Sequence, residues 1–252
     1  MSLPPAEFRQ AGPRLTFTGH LEELRRRLGI SLAAFLVAVG VSFTQVERII
    51  RWVAHPVERL VPRFAYFSPT EPLLAYVKVA LLSGFVLAMP VMLSQLWGFV
   101  RPGLARRERS YGAVFIWWGS FQFVAGVAFA YFLLLPASLQ FLLGIGERYL
   151  TPVISIERYL SFTTTLLFWC GVVFELPAVL YLLAKANVVT PEWLRQQRPY
   201  AILVLVIIAA VVTPTTDPVN LCLLAIPLVL LYELSIVIAR VAIRRNVHGT
   251  TP

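Results

Sequence analysis

The sequence predicts an all-α polytopic membrane protein with six transmembrane helices. Three observations carry this. Of 252 residues, 58% are hydrophobic and only 14% are charged, whereas a soluble domain is nearer half apolar and about a quarter charged. The apolar residues are gathered into six separate runs, with most charges between them. One of those runs holds a carboxylate, Glu175, in its middle. An acid at that depth is costly unless it has a partner or faces a polar cavity, so it marks a functional site.

The runs cover about residues 28–46, 73–98, 111–135, 159–184, 200–213 and 221–239, and make one integral membrane domain. A helix needs roughly 20 residues to cross about 30 Å of hydrocarbon. The first four runs meet this. The fifth is short and the sixth barely long enough, so they cross only with local thinning, flanking residues in the interface, or shielding by protein. A re-entrant hairpin is the alternative for this pair. The first run follows about 27 mixed residues, exceeds the apolar core of a signal peptide and lacks a small-residue cleavage site. It is expected to be a retained span.

Lysine and arginine set the direction. With the N-terminus in the cytoplasm, the inside segments carry fifteen basic residues: Arg9, Arg14 and Arg25 to Arg27, then Arg101, Arg106, Arg107 and Arg109, then Lys185, Arg195 and Arg198, then Arg240, Arg244 and Arg245. The outside segments carry six, Arg48, Arg51, Arg59, Arg63, Arg148 and Arg158. Both termini are therefore expected in the cytoplasm.

Residues 18–28 read as an amphipathic cytoplasmic helix leading into the membrane, with Thr18 as N-cap and Leu21, Leu24 and Leu28 on one face. Glu22 and Glu23 precede three arginines. Two readings stand: ordinary i,i+4 pairing on a solvated helix, or an acid presented at the cytoplasmic membrane surface. Between the second and third runs, Glu108 is the only acid among four arginines. It either neutralises a neighbour or is held for an incoming cation. Two such acids on one membrane face could take a ligand with paired guanidinium groups, because the planar fork of arginine binds carboxylates bidentately.

The outside segments differ in size. Residues 46–55 can form an amphipathic helix that ends before Pro56, and Pro136 is expected to break the chain away from the third run into a helix lying near the interface. The last outside segment is a tight turn in which Asp217, with Thr213, Thr215 and Thr216, fits an Asx-type turn. Pro90, Pro177 and Pro227 lie inside runs and are expected to kink them. The kink at Pro177 coincides with Glu175, which would let freed carbonyls and the acid share a polar cavity. Gln95 and Gln122 are expected to cross-link helices. Glu233 is placed to snorkel or to pair near the inner interface, within reach of Arg240.

Several function classes are excluded. The net charge is +9, but the basic residues flank apolar runs, which argues for a membrane face and against nucleic acid. Cys170 and Cys222 fall in apolar runs and read as small buried hydrophobes, and three scattered histidines make no metal site. No nucleophile–base pair, phosphate loop or ATPase signature emerges, so no enzyme and no cofactor are expected. Energy for transport must come from a partner or the membrane field.

Six segments in order resemble the TatC family, the multi-span receptor subunit of the twin-arginine protein translocase. They are HLEELRRRL (20–28), FVRPGLARRE (99–108), GVAFAYFLLLP (126–136), FELP (174–177), RPYA (198–201), and TPTTDP (213–218) followed by LAIPLVLLYE (224–233). The resemblance covers about residues 16–245. It implies a cupped, glove-like bundle in the bacterial plasma membrane that receives folded proteins whose signal peptides carry consecutive arginines, and moves them using the proton-motive force. By match, Glu23 and Glu108 look like the acids that meet those arginines, and Arg25 matches a basic position that matters in the family. Glu175 matches the acid on the concave side, Asp217 the acid of the last outside turn, and Pro56 the proline of the first outside segment. Asp217 departs from the pattern by one residue of spacing in that turn. The implied partners are small single-span subunits of the TatA and TatB type docking near the fifth span, twin-arginine signal peptides, other copies of the chain, and membrane lipids. The rival readings are a secondary transporter of a small solute or ion, and a structural membrane scaffold.

Overall fold

The computed structural model describes residues 17–57, 64–103, 108–144, 153–186, 188–212 and 218–247. Among these, α1 spans Phe17–Thr44, α2 Val46–Ala54, α3 Glu71–Val100, α4 Gly112–Phe129 and α5 Leu135–Gly144. The chain continues with α6 at Ile156–Phe174, α7 at Leu176–Lys185, α8 at Pro191–Gln196, α9 at Arg198–Val212 and α10 at Pro218–Val247. Five helical stretches are long and apolar enough to cross a membrane: Gly19–Thr44, Glu71–Val100, Arg109–Gly144, Ile156–Lys185 and Leu221–Arg240. Helix α9 is the shorter sixth, its 15 residues reaching about 22 Å. Many large apolar side chains, among them Val37, Trp117, Phe121, Phe132 and Leu230, point outward. Lipid is the solvent such a surface fits.

Helices α1 and α3, and α4 and α6, run antiparallel and approach closely at glycines, while α3 and α6 run parallel, Lys78 meeting Ser161 and Phe85 meeting Phe168. A Cβ on Gly84 of α3 would lie 2.5 Å from Val39 of α1, and one on Gly126 of α4 would lie 2.7 Å from Phe174 of α6. Without a hydrophobic drive between helices in lipid, such close packing holds the bundle together. The end at which α1 starts is the near end of the bundle, and the opposite one the far end.

The far end is capped. Helix α2 forms over residues 46–54 as expected and buries Val46, Ile50, Val53 and Ala54. Its last carbonyls take hydroxyls from two long helices: Tyr131 Oη donates to Trp52 O at 2.6 Å and Tyr159 Oη to Val53 O at 2.8 Å. Trp52 and Tyr131 also stack, with centroids 4.2 Å apart. Pro56 follows in a half-buried turn closed by Val57 N–H on Ala54 O. Ala65 bridges to Ser155, whose hydroxyl donates to Glu71 at 2.7 Å.

Several expectations need correcting. Thr18 does not cap the segment: α1 starts at Phe17 and carries residues 18–28 unbroken past Gly29, with Leu21, Leu24 and Leu28 exposed on it. Pro136 does not break the chain away. A π-helical turn at Ala130–Leu134 precedes it, in which Leu135 N–H reaches back to Ala130 O, so α4 and α5 join without a gap. The widened turn carries the carbonyl at i−4 away from the proline ring, which is how a helix tolerates a proline there. Pro90 and Pro227 lie within α3 and α10, inside the runs where the sequence puts them. The sixth run lies within a 30-residue helix, of which the 20 residues Leu221–Arg240 are apolar enough to cross. Cys222 is exposed on that helix, not buried.

Candidate functional site: two acids of the near end and one within the bundle

Two antiparallel helix ends build the near end. Helix α1 begins and α3 finishes there, pinned by a ring stack of His20 on Phe99 with centroids 4.3 Å apart. One helical turn on, Glu23 and Arg27 share a face, and the pair closes: Arg27 Nε and Nη2 both donate to Glu23 Oε1, at 3.0 and 2.7 Å. The guanidinium lies over Gly98 of α3, where a Cβ would fall 1.9 Å from Nη1. Arg25, on the neighbouring face, is exposed.

From α3 the chain passes through a 3-10 turn at Arg101–Gly103 and returns through another at Glu108–Tyr111 into α4. Glu108 therefore opens the second turn at the same end of the bundle as Glu23. Its side chain lies outside the described residues, as does Asp217. Arg109 reaches back to Pro102 O at 3.3 Å.

Glu175 occupies the break between α6 and α7. Pro177 supplies no N–H for the turn before it, so the helix stops at Phe174 and restarts at Leu176. The carboxylate is 6% exposed, and neither oxygen has a hydrogen-bond partner among the described residues. Among the described residues the acid faces Gly119 of α4 and Leu93 of α3, with Oε2 3.2 Å from where a Gly119 Cβ would be. Gly119 is seven residues, about 10 Å, along α4 from Gly112 at the near end. Gln122, one turn further, also has its carbonyl oxygen buried without a partner among the described residues. Among the described residues Gln95 cross-links no helices and donates to its own neighbour, Ser94 Oγ, at 3.3 Å. Glu233 pairs with Arg198 of α9 at 2.5 Å, not with Arg240. The reason is topological: α10 returns to the near end beside α8 and the start of α9, where Tyr232 Oη also bonds Leu194 O.

A groove of about 510 Å³ opens between α1, α3 and α6. Leu28 and Met92 line it toward the near end, Phe35 and Phe85 in its middle, and Lys78 toward the far end. Lys78 and Met92 are fourteen residues apart on α3, so the groove runs for about 21 Å. Lys78 is ion-paired with Glu157 and donates to Ser161 Oγ at 2.9 Å. Glu175 does not line this groove. The Glu23–Arg27 pair is the i,i+4 pairing, one of the two readings of this segment. Sequence reasoning missed the Lys78–Glu157 pair, which a lone lysine within an apolar run signals.

The family described as "TatC: Sec-independent protein translocase protein (TatC)" matches residues 19–227. A relative of that name from Aquifex aeolicus is 40% identical over 236 residues, covering 92% of this chain and 98% of that protein. Another, from Deinococcus radiodurans, is 37% identical over 251 residues, covering 95% and 93%. A crystal structure titled as the twin arginine translocase receptor TatC superposes with a TM-score of 0.80 at 40% identity, covering 88% of this chain and 99% of that one. The helical membrane bundle and the matched sequence agree, and the chain belongs to the TatC family of Sec-independent protein translocase proteins, a membrane transport protein and not an enzyme.

Proposed function

We propose that the chain is the receptor for twin-arginine signal peptides, with Glu23 and Glu108 as the acids that meet the arginines at the cytoplasmic surface. The observation that carries this is the guanidinium already seated on Glu23: the carboxylate is built to accept an arginine fork. The turn that begins with Glu108 returns at the same end of the bundle, and Arg25 keeps a charge beside the pair. The near end is the cytoplasmic side and holds both termini. The weight of basic residues in segments 1–27, 101–109, 185–198 and 240–245 supports this. The α9 helix crosses as the sixth span in a locally thinned membrane.

The apolar stretch of the signal peptide lies in the groove beneath Leu28 and Met92, whose length of about 21 Å suits some fourteen helical residues. Glu175 is an acid at intermediate depth, used once single-span TatA- and TatB-type subunits gather against α9 and α10 in the bacterial inner membrane. Further copies of the chain and surrounding lipids complete the assembly. Pro56 and Gln95 hold the far-end turn and the wall of α3, and Asp217 belongs to the last outside turn. The proton-motive force drives passage of folded cargo.

Crosslinking tests the arginine site. A twin-arginine peptide should label wild-type protein strongly, and Glu23→Ala and Glu108→Ala weakly. Full labelling of the double variant would remove both residues from the site.

A further inference from the structure

We propose that Arg27 is a resident guanidinium, one that occupies the Glu23 carboxylate until a ligand arginine replaces it, and that this exchange contributes to the preference for arginine over lysine. The inference rests on the reading of Glu23 as a ligand-binding acid. Arg27 places two N–H donors on Glu23 Oε1 and leaves Oε2 without a partner among the described residues. A ligand guanidinium can first approach through Oε2 and then displace Arg27 from Oε1. Both side chains are partly exposed, 26% for Arg27 and 22% for Glu23, so the exchange is open to a peptide from solution.

Two features set Arg27 apart from Arg25 and Arg26, which are exposed. It is one turn from the acid, and its plane is received by the bare backbone at Gly98, where any side chain would collide with it. The docking of α1 on α3 does not depend on it, because the His20–Phe99 stack holds the preceding turn. An i,i+4 pair of this kind is weak enough to be given up and must still be matched by whatever replaces it. An arginine matches it donor for donor. A lysine, a compact charge without the planar fork, does not.

The test uses the full chain in nanodiscs with a twin-arginine signal peptide and its twin-lysine counterpart. Binding is measured for wild type, Arg27→Gln, Arg27→Lys and Glu23→Gln, with melting curves for each. Arg27→Gln should bind the twin-arginine peptide roughly two- to fivefold tighter. It should also narrow the arginine-to-lysine ratio, with Arg27→Lys between it and wild type. Adding Glu23→Gln should abolish the gain. If Arg27→Gln binds no tighter, or more weakly, while Glu23→Gln still weakens binding, Arg27 only steadies the acid and the exchange is refuted, with the receptor reading intact. If Glu23→Gln leaves binding unchanged, the receptor site itself is misplaced and the exchange falls with it. Should Arg27→Gln melt at a much lower temperature, Arg27→Lys carries the same comparison.

Discussion

The Glu175 carboxylate of α6–α7 and the bare backbone of Gly119 in α4 fit against one another: Oε2 lies 3.2 Å from where a Gly119 side chain would begin, and Leu93 closes the same space at 2.7 Å. A methyl group there must push Leu93 Cδ1 aside and crowds Oε2. Gly119→Ala should cost about 1–3 kcal/mol through overpacking, read as a lower melting temperature in detergent. Combining it with Glu175→Ala should recover part of the loss, because the second change empties the space the first one needs. Additive losses would mean the two residues do not share it.

Glu175 sits where an acid costs stability. Its oxygens are buried and lack partners among the described residues. A buried group in that state costs about 1–3 kcal/mol. Glu175→Met should therefore keep or raise the melting temperature while lowering transport of a twin-arginine cargo in vesicles. A variant that both melts early and binds peptide poorly would instead make the acid a structural element.

The helices were legible because their apolar runs are long. The composition, the number of runs and the break at Glu175–Pro177 all follow from residues near in sequence. What escaped depends on residues distant in sequence. Pro136 reads as a break from local chemistry alone, and only the π-helical turn at Ala130–Leu134 shows how the chain passes it. Glu233 has Arg240 within a turn or two, but its partner is Arg198, delivered by the pairing of α9 with α10. Of the site, Glu23 was visible as an acid beside arginines. That Arg27 is the one turned onto it depends on Gly98, seventy-one positions along the chain.

The Lys78–Glu157 pair joins α3 to α6 near the far end of the groove. Breaking one side leaves a charge in poorly hydrated surroundings, so Glu157→Ala should cost about 1–3 kcal/mol. The double variant Lys78→Met with Glu157→Leu should lose less than the sum of its single changes. A double-mutant cycle on melting temperature measures this coupling, and a cycle that closes at zero would leave Ser161 as the only useful partner of Lys78.

Filling the groove separates its role from that of the acids. Ser31 of α1 lines it, whereas Leu36 on the same helix is exposed to lipid. Ser31→Phe puts a ring where the apolar stretch of a signal peptide would lie and leaves Glu23, two turns away, untouched. Crosslinking from the apolar stretch should drop, and peptide affinity should fall roughly five- to tenfold, about 1–1.4 kcal/mol. Crosslinking from the arginine pair should persist. Leu36→Phe should change neither. Equal loss at both positions of the peptide would mean that the groove and the acids are one site, and unchanged binding with Ser31→Phe would mean that the apolar stretch lies elsewhere on the bundle.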